Sequence, residues 1–154
     1  MIVWKQKIRK LGMKINMGEN STVNDFVLVE DDYTYRQGDS VFYKFTVKNN
    51  RYIEIFVHEN SIFNDYTTIV FDYLIWLGTK FGDVLIKDYN ERMVNCRKAD
   101  FDWFMKLDCK DIKITIDENG KINSSIHCES GQDDFDITIK DKEIISMGYR
   151  IVYG

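Results

Sequence analysis

The sequence predicts an α+β fold: an antiparallel sheet of about six to eight strands with one main helix, at about residues 62–77, packed on it. Short runs rich in β-branched and aromatic residues, separated by Gly, Asn and Asp, recur through most of the chain. A single stretch, NDYTTIVFDYLIWL, carries the three-and-four spacing of an amphipathic helix. With 154 residues, 44% hydrophobic and 14% aromatic, the chain has the length of one domain (1–154) and enough apolar mass to fold. It contains no proline, so turns fall to Gly, Asn and Asp.

Residues 1–17 alternate loosely and predict an opening strand bent at Gly12, and GENSTVND (18–25) reads as a loop. Phe26–Val29 is a short apolar run that ends on Glu30, Asp31 and Asp32. Val41–Val47 and Arg51–Val57 predict a hairpin turning at Asn49-Asn50, since asparagine tolerates the positive φ of tight turns. Tyr66, Ile69, Val70, Tyr73, Leu74 and Leu77 share one helical face, with Ser61 or Asn64 as the expected N-cap and Gly78 as the stop. Gly82–Ile86 reads as a strand and Asp88–Arg92 as a polar turn, while Asp100–Leu107 fits a short helix or an irregular strand. Asp111–Ile116, a turn at Asp117–Gly120 and Lys121–Ile126 predict a second hairpin, and Phe135–Ile139 with Ile144–Tyr153 a final pair of strands.

Charge narrows the function classes. Lys and Arg total 21 against 25 Asp and Glu, giving −4, the reverse of what a phosphate backbone selects. The basic run Lys5, Lys7, Arg9, Lys10 and Lys14 is interleaved with Trp4, Ile8 and Leu11 and reads as the solvated side of an edge element, so no nucleic acid is expected. No window is apolar for long enough to span a membrane, and charges interrupt the N-terminus where a signal peptide needs an apolar stretch. Three widely spaced cysteines imply no disulfide framework, so reduced thiols and a cytoplasmic location are expected.

Each catalytic motif fails on spacing. His58 and His127 are the two histidines, and neither lies in the short-spaced pairs of a zinc site, so both are expected to be structural or incidental. The contexts VNCRK, KLDCK and IHCES around Cys96, Cys109 and Cys128 lack the tight turn of a nucleophile site. Asp117, Asn119 and Gly120 start like a calcium loop, but Cys128 stands where its last glutamate belongs. Gly78–Gly82 lacks the Lys-Ser/Thr end of a phosphate loop. No enzyme, metal or cofactor is expected. The acidic clusters remain: Glu30-Asp31-Asp32, Asp100 and Asp102 around Phe101 and beside Trp103, and Asp133-Asp134 with Asp136. Carboxylates beside aromatic side chains suit docking to a basic protein.

Asn50-Arg-Tyr-Ile-Glu-Ile-Phe-Val-His58, a helix-forming stretch, and then Gly78-Thr-Lys-Phe-Gly-Asp-Val-Leu-Ile-Lys-Asp-Tyr-Asn-Glu91 resemble the polymorphic-toxin, contact-dependent-inhibition immunity proteins. In that resemblance Gly78 and Gly82 stand for the family's glycines, Phe81 for its aromatic and Asp88 with Glu91 for its acidic turn. It spans residues 49–91 and implies a protein that binds a cognate bacterial toxin domain, often a basic nuclease, and occludes its active site. Asp31, Asp32, Asp100, Asp102, Trp103, Asp133 and Asp134 are then the expected partner contacts. Two rival readings fit the same composition: a phage-encoded inhibitor of a host defence nuclease, and a small metal-dependent hydrolase using paired carboxylates.

Overall fold

The computed structural model describes residues 26–28, 35–47, 50–62, 65–131 and 133–149. The expected opening strand, the basic run of residues 5–14 and the Glu30-Asp31-Asp32 cluster lie outside the described residues. The elements run β1 (Phe26–Leu28), β2 (Tyr35–Gln37), β3 (Ser40–Val47), β4 (Asn50–His58), α1 (Thr67–Thr79), α2 (Phe81–Arg92), α3 (Phe101–Lys106), β5 (Asp108–Ile116), β6 (Ile122–Glu129), β7 (Asp134–Lys140) and β8 (Glu143–Tyr149). All the described strands join one sheet in the order β1-β3-β4-β5-β6-β7-β8, with β2 also paired to β3. This is the α+β architecture that the sequence predicts.

All pairings among the described strands are antiparallel except one. β4 and β5 run parallel, with Ile53, Ile55 and Val57 beside Ile112, Ile114 and Ile116. Parallel neighbours need a crossover, and the three helices between β4 and β5 supply it. The hairpin expected at 41–57 forms as β3–β4, with Val47 opposite Asn50. The one expected at 111–126 forms as β5–β6. Asp117 ties that turn by accepting from the amides of Asn119 at 2.8 Å and Lys121 at 2.9 Å. Gly120 takes φ 76°, and a Cβ there would lie 2.5 Å from the Tyr66 hydroxyl, so only glycine fits both the turn and the ring crossing it.

The helical part departs most from expectation. Gly82–Ile86 and Asp88–Arg92 are not a strand and a turn but lie in α2, a 12-residue helix. The β-branched look of Val84 and Ile86 is a local preference; Phe81, Leu85 and Tyr89, four residues apart, set one buried helical face. Asp83 in its first turn and Arg92 in its last complement the helix dipole. Gly78 does not stop α1; it is buried within it, and Lys80 is the cap shared with α2. Nor does Ser61 cap α1, which starts from Tyr66 without a side-chain cap. The Ser61 hydroxyl donates instead to the Asp117 carbonyl at 2.8 Å. Asn64, the other expected cap, lies outside the described residues.

The core lies between the helices and one face of the sheet. Val70, Leu74 and Leu77 of α1, Phe81 and Leu85 of α2, and Phe104 of α3 cover Ile53, Ile55, Ile114, Ile116, Ile126, Ile137 and Ile139, all at most 1% exposed. Each fully buried aliphatic side chain contributes about 1.5–3 kcal/mol by leaving water. Tyr73 and Ser124, each 4% exposed, put two hydroxyls into this layer and satisfy them by bonding to each other. No described helix is long and apolar enough to cross a membrane.

Candidate functional site

Two polar sites stand out, one at the edge of the core and one on the sheet face away from the helices. The first is built where α2, α3, β7 and β8 meet. Past α2, the chain is clamped by Asn90, whose amide group donates to the Ala99 carbonyl at 3.0 Å and accepts from the Ala99 amide at 2.6 Å. That clamp delivers Asp100 in an extended conformation to start α3, where its carboxylate accepts from the Trp103 amide at 2.9 Å. Such a cap stabilises a short helix by about 1 kcal/mol.

Trp103 then lies on the buried ring of Phe135, with centroids 6.1 Å apart and planes 4° from parallel, and beside Tyr89 at 4.4 Å. Tyr149 stacks on the same Phe135 at 5.8 Å. Asp133 ties the two outer rings together: its carboxylate accepts from the Trp103 indole N–H at 3.3 Å and from the Tyr149 hydroxyl. Ser130 holds Asp133 in turn, its amide donating to the Asp133 carbonyl at 2.7 Å and its hydroxyl accepting from the Asp133 amide at 3.1 Å. The result is an open cleft of about 790 Å³ with Trp103, Tyr149 and Asp133 in its wall. Asp100 and Asp102 together with Arg97, Lys98 and Lys106 give its lining both signs of charge.

Burial, reinforced by the bond to Asp133, raises the Tyr149 pKa well above that of a free phenol. Tyr89 is also raised, chiefly by burial. Both phenols therefore stay protonated at neutral pH and serve as donors and packing surfaces, not as bases. Of the expected contact residues, the fold brings Asp100, Asp102, Trp103 and Asp133 together in this cleft. Asp134 goes elsewhere. It is the next residue on an extended chain, so its side chain points to the opposite face. Asp31 and Asp32 lie outside the described residues.

The second site occupies the face of β6–β7 away from the helices. His127 stands opposite Asp136, and Glu129 opposite Asp134, in the β6–β7 register. His127 Nδ1 is 2.8 Å from Asp136 Oδ1, while Nε2 lies 3.3 Å from Glu129 Oε2 and 3.2 Å from Asp134 Oδ1. Burial opposes a charge on the imidazole, but the bonds to Asp136 and Glu129 and the charges of Asp134 and Asp136 outweigh it and raise its pKa. A hollow of about 440 Å³ opens beside the cluster, lined by Glu54, Asp111, Lys113 and Ser125 as well as by His127, Glu129 and Asp136. Asp111 sits at φ 54° where the β5–β6 register slips between Lys110 and Lys113, a bulge of the kind that re-aims side chains.

Compared with known proteins, the chain has no significant match among family models, curated proteins or solved structures. The chemistry must therefore be read from its own residues.

His58 meets the expectation of a structural histidine: its Nδ1 accepts from the Asn60 amide at 3.1 Å and its ring packs edge-on to Phe42. His127 stands at the centre of a carboxylate cluster. The missed signal was a period of two on both arms of a hairpin, His127 and Glu129 on β6, Asp134 and Asp136 on β7. Cys109 and Cys128 are buried cross-strand partners with sulfurs 3.2 Å apart, facing the core, whereas His127 faces the other way. That arrangement gives neither thiol an imidazole base from His127.

Proposed function

We propose that this chain is a cytoplasmic binding protein, not an enzyme. In this reading it acts as an immunity protein: it docks to a cognate bacterial toxin domain, a basic nuclease, and occludes its active site. The observation that carries the reading is the cleft in which Asp133 holds Trp103 and Tyr149 against Phe135. Rings already fixed by packing and hydrogen bonds lose little freedom on association, which is how aromatic anchors become dominant contacts. Asp100 and Asp102 beside Trp103 supply negative charge for Arg or Lys of a partner, while Arg97, Lys98 and Lys106 set its register. The same carboxylates disfavour a polyphosphate, so the partner is a protein and not a nucleic acid. Asp31 and Asp32 remain in the proposed contact set on charge, and occlusion requires no chemistry and no cofactor from the inhibitor.

The test is to co-express the chain with the product of the gene adjacent to its own and to follow growth and complex formation. Growth is restored and a stable complex isolated if the reading holds. Asp102→Lys, an exposed change that leaves the Trp103–Asp133 bond intact, then weakens the complex by about tenfold or more and reduces its salt dependence. Absence of rescue by the wild-type chain, or an unaltered affinity in Asp102→Lys with the fold intact, overturns it.

A further inference from the structure

The cluster around His127 has a donor set that the partner-binding cleft does not use. Nε2 of His127, a carboxylate oxygen of Glu129 and one of Asp134 all lie within 4.8 Å of one another, so a single ion placed among them reaches all three. We infer that His127, Glu129 and Asp134 form a binding site for a first-row divalent cation of the zinc type. The inference does not depend on the proposed partner.

The chemistry of the donors selects the cation class. Imidazole with two carboxylates is a mixed nitrogen–oxygen set, which suits zinc and its neighbours; magnesium and calcium prefer oxygen alone. Three protein donors also leave a fourth position for water or a partner's side chain. The second ring nitrogen of His127 is occupied by Asp136 at 2.8 Å, the carboxylate–histidine arrangement that fixes which nitrogen faces a metal.

An independent observation points into the same spot. Asp134 Oδ1 is closed off from solvent and accepts no hydrogen bond, although it lies 3.2 Å from His127 Nε2. A buried carboxylate oxygen without an aligned donor is costly, and a bound cation removes that cost. The surrounding charge favours one. Asp111 and Asp136 line the adjoining hollow, as does Glu54, which is ion-paired with Lys44 at 2.5 Å; the hollow's Lys113 has its ammonium 4.8 Å above the Phe56 ring. The donors sit on two neighbouring strands of one sheet, so little ordering is needed when the ion enters.

The full chain, stripped with EDTA, is titrated with ZnCl2 by calorimetry and with CoCl2 by visible absorption. One saturable site per chain is expected, with a Co2+ spectrum that added Zn2+ abolishes and equimolar Mg2+ leaves unchanged. Glu129→Gln and Asp134→Asn keep shape and volume, and each is expected to weaken Zn2+ binding by about 100-fold; Asp136→Asn, which changes the partner of the other imidazole nitrogen, by about 10- to 100-fold. Glu118→Gln, exposed in the β5–β6 turn, retains wild-type binding. Circular dichroism confirms that each variant is folded. Absence of saturable binding, displacement of the cation by equimolar Mg2+, or unchanged affinity in folded Glu129→Gln and Asp134→Asn overturns the site.

Discussion

The hairpin β6–β7 presents two faces made from the same two strands, and they have opposite chemistry. Ser124, Ile126, Cys128, Phe135, Ile137 and Ile139 point to the helices and are at most 4% exposed. The intervening residues, Ser125, His127, Glu129, Asp134, Asp136 and Thr138, are partly exposed on the other side. A shift of one residue in register would exchange them. One face therefore holds the fold together, and the other is free to carry ionisable groups at close range because the first supplies the stability. The cleft belongs to neither face. It forms at the rim, where Phe135 reaches from the core side to support Trp103 and Tyr149.

Phe135 is where that contrast breaks most sharply. It is 0% exposed and contacts rings from α2, α3 and β8. Phe135→Ala is expected to cost about 3–5 kcal/mol in urea unfolding, the transfer of a ring plus the cavity it leaves. Tryptophan fluorescence should also report loss of the Trp103 stack in the folded variant. Thr138→Ala on the same strand, facing outward, is expected to cost no more than about 1 kcal/mol, the range of strand propensity. Equal costs at the two positions would mean that the faces do not divide stability from surface chemistry.

How far each region was legible follows from the same division. The hairpins at β3–β4, β5–β6 and β7–β8 could be read because alternation and turn residues are local signals. Helix α2 could not: Val84, Leu85 and Ile86 form a run that suits a strand, and its helical state depends on the distant need to connect parallel β4 and β5. The expected cap at Ser61 failed because its hydroxyl is taken by Asp117, a residue of another element. In the cleft, Asp100, Asp102, Trp103 and Asp133 were singled out from local composition, but their convergence depends on α3 packing against β7. Tyr149 was not singled out, since only the β7–β8 register brings it beside Phe135. The His127 cluster is hard to read for a simpler reason: its pairing runs across strands and not along the chain.

A second test asks whether the core face tolerates polarity only when it is paired. Tyr73→Phe leaves the Ser124 hydroxyl in the core without its partner, an expected loss of about 1–3 kcal/mol. The double variant Tyr73→Phe/Ser124→Ala removes both hydroxyls and should recover most of that loss; no recovery would show that the pair is not the source of the cost. Burial, only partly offset by the Ser124 bond, pushes the Tyr73 pKa from 10.0 up to about 12. A raised folded-state value favours the protonated form. Its contribution is fully present below pH 10.0 and is lost as pH rises through about 12. Melting temperatures taken between pH 9 and 11 should therefore fall less steeply in Tyr73→Phe than in the wild type.

The smallest expected effect concerns the turn that sets the rim. Asp141 and Lys142 join β7 to β8 at φ 49° and 63°, both in the left-handed region that a two-residue hairpin of this hand requires. Asp141 is tolerated there, but Lys142 carries a Cβ against the preference of the backbone. Asp141→Asn with Lys142→Gly matches the residues to the turn and is expected to stabilise the chain by about 0.5–1 kcal/mol, or roughly 1–4 °C in melting temperature. This turn starts the β7–β8 pairing, which after a register shift at Thr138/Ile139 places Tyr149 opposite Phe135, so the gain should extend along β8, slowing hydrogen exchange of its amides while leaving α1 unchanged. A variant that loses stability would show that strain at Lys142 is not what limits this hairpin, and that the rim takes its order from the Asp133 and Phe135 contacts instead.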